Sequence, residues 1–190
     1  MKNLAFLLLA LLIFAAPQAE ARERRETFFG GVGLSRALLD FTDGKARTTY
    51  TGWGPDLEVG FEFPLKGEFG WQFAAIGSRH ELLNSIDSKT YAEKGILDSL
   101  GARVGVYYMN ISLGGGMKQT RLEVTSIPSL PDQSTTVLKG SNAFGYGAFS
   151  FDYRGMFRAT AEGQYTNGNF DGRTLEAYQI GMRLTLLFDL

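Results

Sequence analysis

The sequence predicts an all-β fold: a closed eight-stranded antiparallel up-and-down transmembrane β-barrel. Three observations predict it. Alternation with a period of two recurs eight times, in segments of ten residues or more, where strands of soluble proteins average about five or six. The breaks between the segments alternate between short and long. One parity is apolar and aromatic, while the other sets charged groups among glycines.

The chain begins with a leader. Lys2 gives a positive start, Leu4 to Ala16 is an almost unbroken apolar run, and Ala19-Glu20-Ala21 is a small-x-small cleavage site. Residues 1–21 are therefore expected to be a secretory signal peptide and 22–190 the barrel domain, exported through the Sec pathway to a bacterial outer membrane. The apolar run is shorter than the roughly 20 residues that a spanning helix needs. The chain has no Cys, so it offers no lipid attachment site and no disulfide. A net charge of -1 with interspersed signs gives no reason to expect a nucleic-acid partner. Gly at 24 residues and aromatics at 13% point to many strands with rings on one face and crowding on the other.

The strands are expected at 27–37, 52–63, 68–78, 98–108, 110–119, 142–153, 156–166 and 177–189. Only part of Glu81 to Leu100 has the pattern of an amphipathic helix. A tilted strand of about 9–11 residues crosses a hydrocarbon layer. The breaks after the second, fourth and sixth strands are short: Pro64 to Gly67, Met109-Asn110 and Arg154-Gly155. Those after the first, third, fifth and seventh are longer and polar, among them Lys118 to Asn142 and Thr166 to Gly172. Short turns on one side and long loops on the other is the arrangement of outer-membrane barrels, with the turns periplasmic.

In that topology the periplasmic strand ends carry Phe28, Phe63, Phe69, Tyr108, Tyr153, Phe157 and Phe188. The opposite ends carry Trp53, Tyr165 and Tyr178. Rings sorted to two depths are the aromatic girdles of a membrane barrel.

The faces follow from parity. The eighth strand sets Tyr178, Ile180, Met182, Leu184, Leu186, Phe188 and Leu190 against Gln179, Gly181, Arg183, Thr185 and Asp189. In a soluble barrel the apolar parity would point inward. The glycines favour the reverse, because a narrow eight-strand interior needs small residues beside Arg and Glu, whereas a water-facing strand is weakened by Gly. A one-residue slip would turn Arg103, Arg158 and Arg183 toward lipid at roughly 2–4 kcal/mol each near the midplane. The total of about 6–12 kcal/mol rivals the stability of a whole domain. The sixth strand breaks the pattern: Phe144 and Tyr146 share a parity with Ser150 and Asp152. A bulge, or rings packed inside the extracellular half of the lumen, would account for it.

With leader, four loops, three tight turns and closing strand in place, the chain resembles small eight-stranded outer-membrane barrels of the OmpA/OmpX type. The last strand is similar to the carboxy-terminal signal read by the barrel-assembly machinery, except that Leu190 stands where Phe or Trp is usual. The resemblance implies lipid and lipopolysaccharide as surroundings, the assembly machinery as a partner during insertion, no cofactor, and no single activity.

Candidate chemistry lies in three places. Glu58, Arg103, Glu162 and Arg183 fall near mid-depth on the charged parity, with Glu62, Asp152 and Arg158 nearer the periplasm. This is an expected ion-pair network, since buried charges must be paired. The only histidine, His80 in "SRHELLNS", has Ser85 nearby and is expected to lie exposed where the third strand gives way to a loop. A Ser–His pair could make a nucleophile and base, but the H-x-S spacing of lipid A deacylases is missing. No Cys–His cluster or calcium-loop spacing suggests a metal. "GGVG" and "GGG" do not sit between strand and helix as phosphate loops do. Loops are the third place: Val124, Ile127, Leu130 and Val137 lie in the long fifth connection, and Lys118, Arg121 and Lys139 at its base are placed to meet lipid phosphates. The expected function is structural or surface-interacting and non-enzymatic, with a lumen plugged by ion pairs. A narrow channel or carrier for small apolar molecules stands second, and a leaflet lipid-modifying enzyme third.

Overall fold

The computed structural model describes residues 25–43, 46–65, 68–84, 92–127, 135–153, 155–170 and 173–190. The leader and its cleavage site lie outside them, as do Ser85 and Leu130. Eight strands follow in order: β1 (Thr27–Asp43), β2 (Ala46–Pro64), β3 (Phe69–Asn84), β4 (Ala92–Tyr108), β5 (Ile111–Ile127), β6 (Thr135–Tyr153), β7 (Phe157–Phe170) and β8 (Arg173–Asp189). Each pairs antiparallel with the next, and β8 returns to β1 to close the barrel. Closure leaves no unpaired edge, which is what lets a sheet stand in hydrocarbon.

The start of β1, the end of β8 and the tight turns share one end of the cylinder, here the turn end. At the β4–β5 hairpin the chain reverses through Met109 and Asn110, with Met109 in the left-handed region at φ 52°. Gly155, at φ 67°, serves the β6–β7 turn, where a residue without Cβ enters that region freely. The Met109 amide also donates to Glu68 O at 3.1 Å, which ties two neighbouring turns together.

Near the turn end and through the middle, the apolar parity points away from the barrel. On β8, Phe188, Leu186, Leu184, Met182, Ile180 and Tyr178 are all exposed, Ile180 at 70%. Ten residues separate Phe188 from Tyr178; at about 3.3 Å each and a tilt near 40°, they rise about 25 Å, the height of an outer-membrane apolar band. Phe28, Phe63, Phe69, Tyr108, Tyr153, Phe157 and Phe188 sit at the turn end of this band. Trp53, Tyr165 and Tyr178 sit at its other edge, each at least 40% exposed.

The strands run farther toward the loop end than the sequence pattern predicts. β5 continues to Ile127 and β6 starts at Thr135, so the expected connection from Lys118 to Asn142 is mostly strand. Likewise β7 reaches Phe170, and the described parts of Glu81 to Leu100 are strand rather than helix. The cause is an inversion of parity. Above the band Leu39, Phe41, Tyr50, Leu82, Leu97, Leu122, Leu138, Phe170 and Leu175 point inward and are buried. Their outward neighbours are Thr51, Glu81, Asp98, Arg121, Lys139, Asn169 and Glu176. Each strand keeps its pleat while its outward face turns from apolar below to polar above. An apolar parity followed along the strand therefore ends where the environment changes, not where the strand does.

β6 contains no bulge: its ladders to β5 and β7 run in unbroken register. Phe144 and Tyr146 point into the lumen and are 5% exposed, while Phe149, Phe151 and Tyr153 face outward.

Candidate functional site

The lumen is filled in three tiers. In the tier nearest the turn end, Arg158 on β7 joins β6 to β2. Its Nε donates to Asp152 Oδ1 at 2.6 Å and its Nη2 to Asp152 Oδ2 at 3.0 Å. The other side of the fork serves Glu62, through Nη1 and through Nη2 at 3.1 Å.

The middle tier crosses the barrel. Arg103 on β4 donates to Glu162 on β7 at 2.5 Å and to Glu58 on β2. Arg183 on β8 also reaches Glu58, with Glu162 at 3.3 Å and Asp56 at 3.1 Å. Gln164 holds the second Glu162 oxygen at 2.7 Å. All five charged side chains are under 10% exposed. Two arginines thus serve three carboxylates: Glu58 and Glu162 each draw on both, whereas Asp56 is bonded by Arg183. Such charges are tolerable only because they are paired. The arrangement links β2, β4, β7 and β8, which lie around the whole circumference. Arg103 also lies over the Tyr146 ring, 4.2 Å from its centroid, and Gln72 donates to the Tyr146 hydroxyl at 2.6 Å.

The glycines of this parity make room for rings as well as charges. A Cβ on Gly105 would overlap the Tyr146 hydroxyl, and one on Gly60 would lie 2.6 Å from Phe29 Cζ. Neither displacement is open to a ring held on all sides.

The third tier is polar and then apolar. Ser35 Oγ lies 2.9 Å from His80 Nε2 and accepts from Gln179 Nε2 at 2.9 Å. Asn142 donates to Thr120 at 3.2 Å and accepts from the Asn169 amide at 3.0 Å. Above these groups the cluster of Leu39, Phe41, Tyr50, Leu82, Leu122 and Phe170 fills the loop end. Phe41 packs edge-on against Tyr50 and Phe170 at 5.9 and 5.8 Å. Cavities left in the lumen are of about 10 and 20 Å³, room for a water or two.

Two expected positions are corrected here. His80 is not an exposed loop residue: it is fully buried and points inward from β3. Lys118 does not meet lipid phosphates, because it is 7% exposed inside the barrel, with Gln164 Oε1 at 3.5 Å and the Phe144 ring at 5.3 Å. The His80 error follows from ending β3 at 78, since an inward-facing residue beyond that end reads as loop. Lys118 lies within the predicted fifth strand, on the inward parity of Ser112, Gly114 and Gly116, and its error comes from counting it as the start of the connection. Arg121 and Lys139 do stand outward, directly opposite one another on β5 and β6. Val124 packs inward against the apolar cluster, and Val137 faces outward.

Sequence reasoning missed Asp56, Gln72, Tyr146 and Gln164 as members of the charged tier. Asp56 was visible in principle, since it shares the parity of Glu58, Gly60 and Glu62. Ser35 and His80 are 45 residues apart, and only register joins them.

No family model matches the chain, and no curated protein matches it. Solved structures do. Ail, the attachment invasion locus protein of Yersinia pestis, aligns at 12% identity over 83% of this chain and 98% of its own, with a TM-score of 0.57, in its complex with the heparin analogue sucrose octasulfate. A second structure of Ail gives a TM-score of 0.56 at 12% identity over 85% and 99% of the two chains. Neisserial surface protein A aligns at 12% identity over 84% and 97%, with a TM-score of 0.49. At such identities the likeness to Ail concerns the fold alone: this chain is a closed eight-stranded antiparallel barrel of the kind found among small outer-membrane proteins.

Proposed function

We propose that the protein is a sealed, non-enzymatic barrel of the bacterial outer membrane. Its role is structural or surface-interacting, and its loop end faces out of the cell. The observation that carries this reading is the pairing of Arg103 and Arg183 with Glu58 and Glu162 across the lumen. The apolar cluster above it supports the same reading, because ions crossing the barrel would have to pass both a neutralised charge tier and a dry one. Ail, an attachment protein by name, has this architecture at nearly full coverage, which is why surface interaction is put first. The barrel-assembly machinery and the lipids of the outer membrane are the partners that the fold class suggests.

A conducting or carrier role is the second reading, favoured by Phe144 and Tyr146 inside the lumen. Planar-bilayer recording separates the two. The sealed reading expects no steady current from the native chain, and a current that responds to R103A or E162A would overturn it. Catalysis has less support: Ser35 and His80 are hydrogen-bonded, but they are 1% and 0% exposed, and the Nδ1 atom of His80 has no orienting acceptor among the described residues. Unchanged lipid hydrolysis in H80A is the expected result.

A further inference from the structure

Just above the apolar band, the outward cations differ in what they face. Arg79 lies 3.7 Å from Asp98, Lys94 lies 4.0 Å from Glu81, and Arg121 is paired with Glu123. Arg36 on β1 has no acid beside it among the described residues; its Nε donates to the Thr51 hydroxyl at 3.3 Å, which engages one of the guanidinium nitrogens and leaves the two Nη nitrogens for another acceptor. Rings flank it. Trp53 stands directly opposite on β2, while on β8 Ile180 is opposite and Tyr178 is the diagonal neighbour. Tyr178 continues the patch to Tyr165 on β7, their centroids 5.1 Å apart. All three upper-edge rings thus lie on the four contiguous strands around Arg36.

We infer that the face formed by Arg36, Trp53, Tyr178 and Tyr165 seats the phosphorylated sugar headgroup of an outer-leaflet glycolipid. The inference rests on the outer-membrane reading above. A guanidinium fork matches phosphate oxygens in two parallel hydrogen bonds, better than any other side chain. Trp and Tyr offer flat apolar faces with a polar edge, suited to the boundary between acyl chains and sugars. The ligand's position follows from what lies below the patch. Leu34 and, opposite it on β8, Met182, 54% and 57% exposed, continue down the same wall. A molecule held at Arg36 therefore has its tails beside these residues and its head at the rings, which selects a membrane lipid over a free sugar phosphate.

The full chain, folded in micelles, is titrated with lipid A, with lipid A stripped of its phosphates, and with phosphatidylglycerol, and bound lipid is counted by native mass spectrometry. The native barrel is expected to retain lipid A, and R36A to lose about tenfold in affinity, the loss of one charge-assisted interaction. Dephosphorylation should produce the same loss, and R79A, at a cation already paired, should leave binding unchanged. R36Q is the second variant should R36A fail to fold, and heat-dependent gel migration reports folding for each. Equal binding by the native chain and R36A would overturn the inference, as would equal binding of phosphatidylglycerol and lipid A, or an equal loss in R79A. Failure of the outer-membrane reading appears as absence of the native chain from the outer-membrane fraction of cells and leaves this titration in micelles unaffected.

Discussion

Arg103 illustrates how a buried charge is made tolerable at the scale of a residue. It is bonded to Glu162 and Glu58 and covered by the Tyr146 ring, so its removal strands two carboxylates rather than deleting one contact. R103M should therefore destabilise the barrel by about 3–5 kcal/mol, measured by reversible urea unfolding in lipid vesicles. The paired replacement R103M/E162Q should cost less than the sum of the two single changes, because it removes charge of both signs. Gly105 makes the complementary case for shape. G105A should cost about 1–3 kcal/mol because its Cβ overlaps the Tyr146 hydroxyl, and Y146F should recover part of that cost by deleting the overlapping atom.

A strand of this barrel serves two solvents along its length. β5 presents Leu113 and Met117 outward within the apolar band, then Leu122 inward above it, with Arg121 and Glu123 outward. The pleat never slips; the environment does. This explains what could be read in the sequence and what could not. Strand number, order and facing were legible from Tyr178 to Leu190 and its counterparts, because lipid on one side and charge on the other leave a clean parity. The loop-end extensions were not, because polar residues outside and apolar residues inside reverse the pattern that defined a strand. His80 was misplaced for this reason. Ser35–His80, by contrast, was beyond reach without knowing how β1, β2 and β3 align. Bromine-labelled acyl chains test the inversion. In a background with Trp53 and Trp71 replaced by Phe, tryptophan at 117 should be quenched strongly and tryptophan at 122 hardly at all. The reverse order would contradict the inverted parity. L122A should cost about 2–5 kcal/mol as an unfilled core cavity, as in a water-soluble protein.

The whole molecule is a closed wall around three tiers: ion pairs at the turn end and the middle, then polar groups, then a dry apolar cap. The lower tiers set register, since a one-residue slip turns Arg103, Arg158 and Arg183 outward into the apolar band, while the cap stabilises the length of barrel beyond that band. The candidate site was partly legible at this scale. Seven charged residues could be named from parity, but the sharing of Glu58 and Glu162 between two arginines depends on barrel closure, which brings β8 and β2 within reach of β4. The central claim is that hydrocarbon touches the apolar parity between Phe188 and Tyr178 and water touches the outside above it. Nitroxide labels placed singly at 174 through 188 of β8 in lipid vesicles measure this directly, through collision with oxygen and with a water-soluble nickel complex. The account predicts oxygen contact at the even positions from 178 to 188, nickel contact at 174 and 176, and neither at 175, 179 or 183. Nickel contact at 183 and 185 together with its absence at 182 and 184 would contradict it.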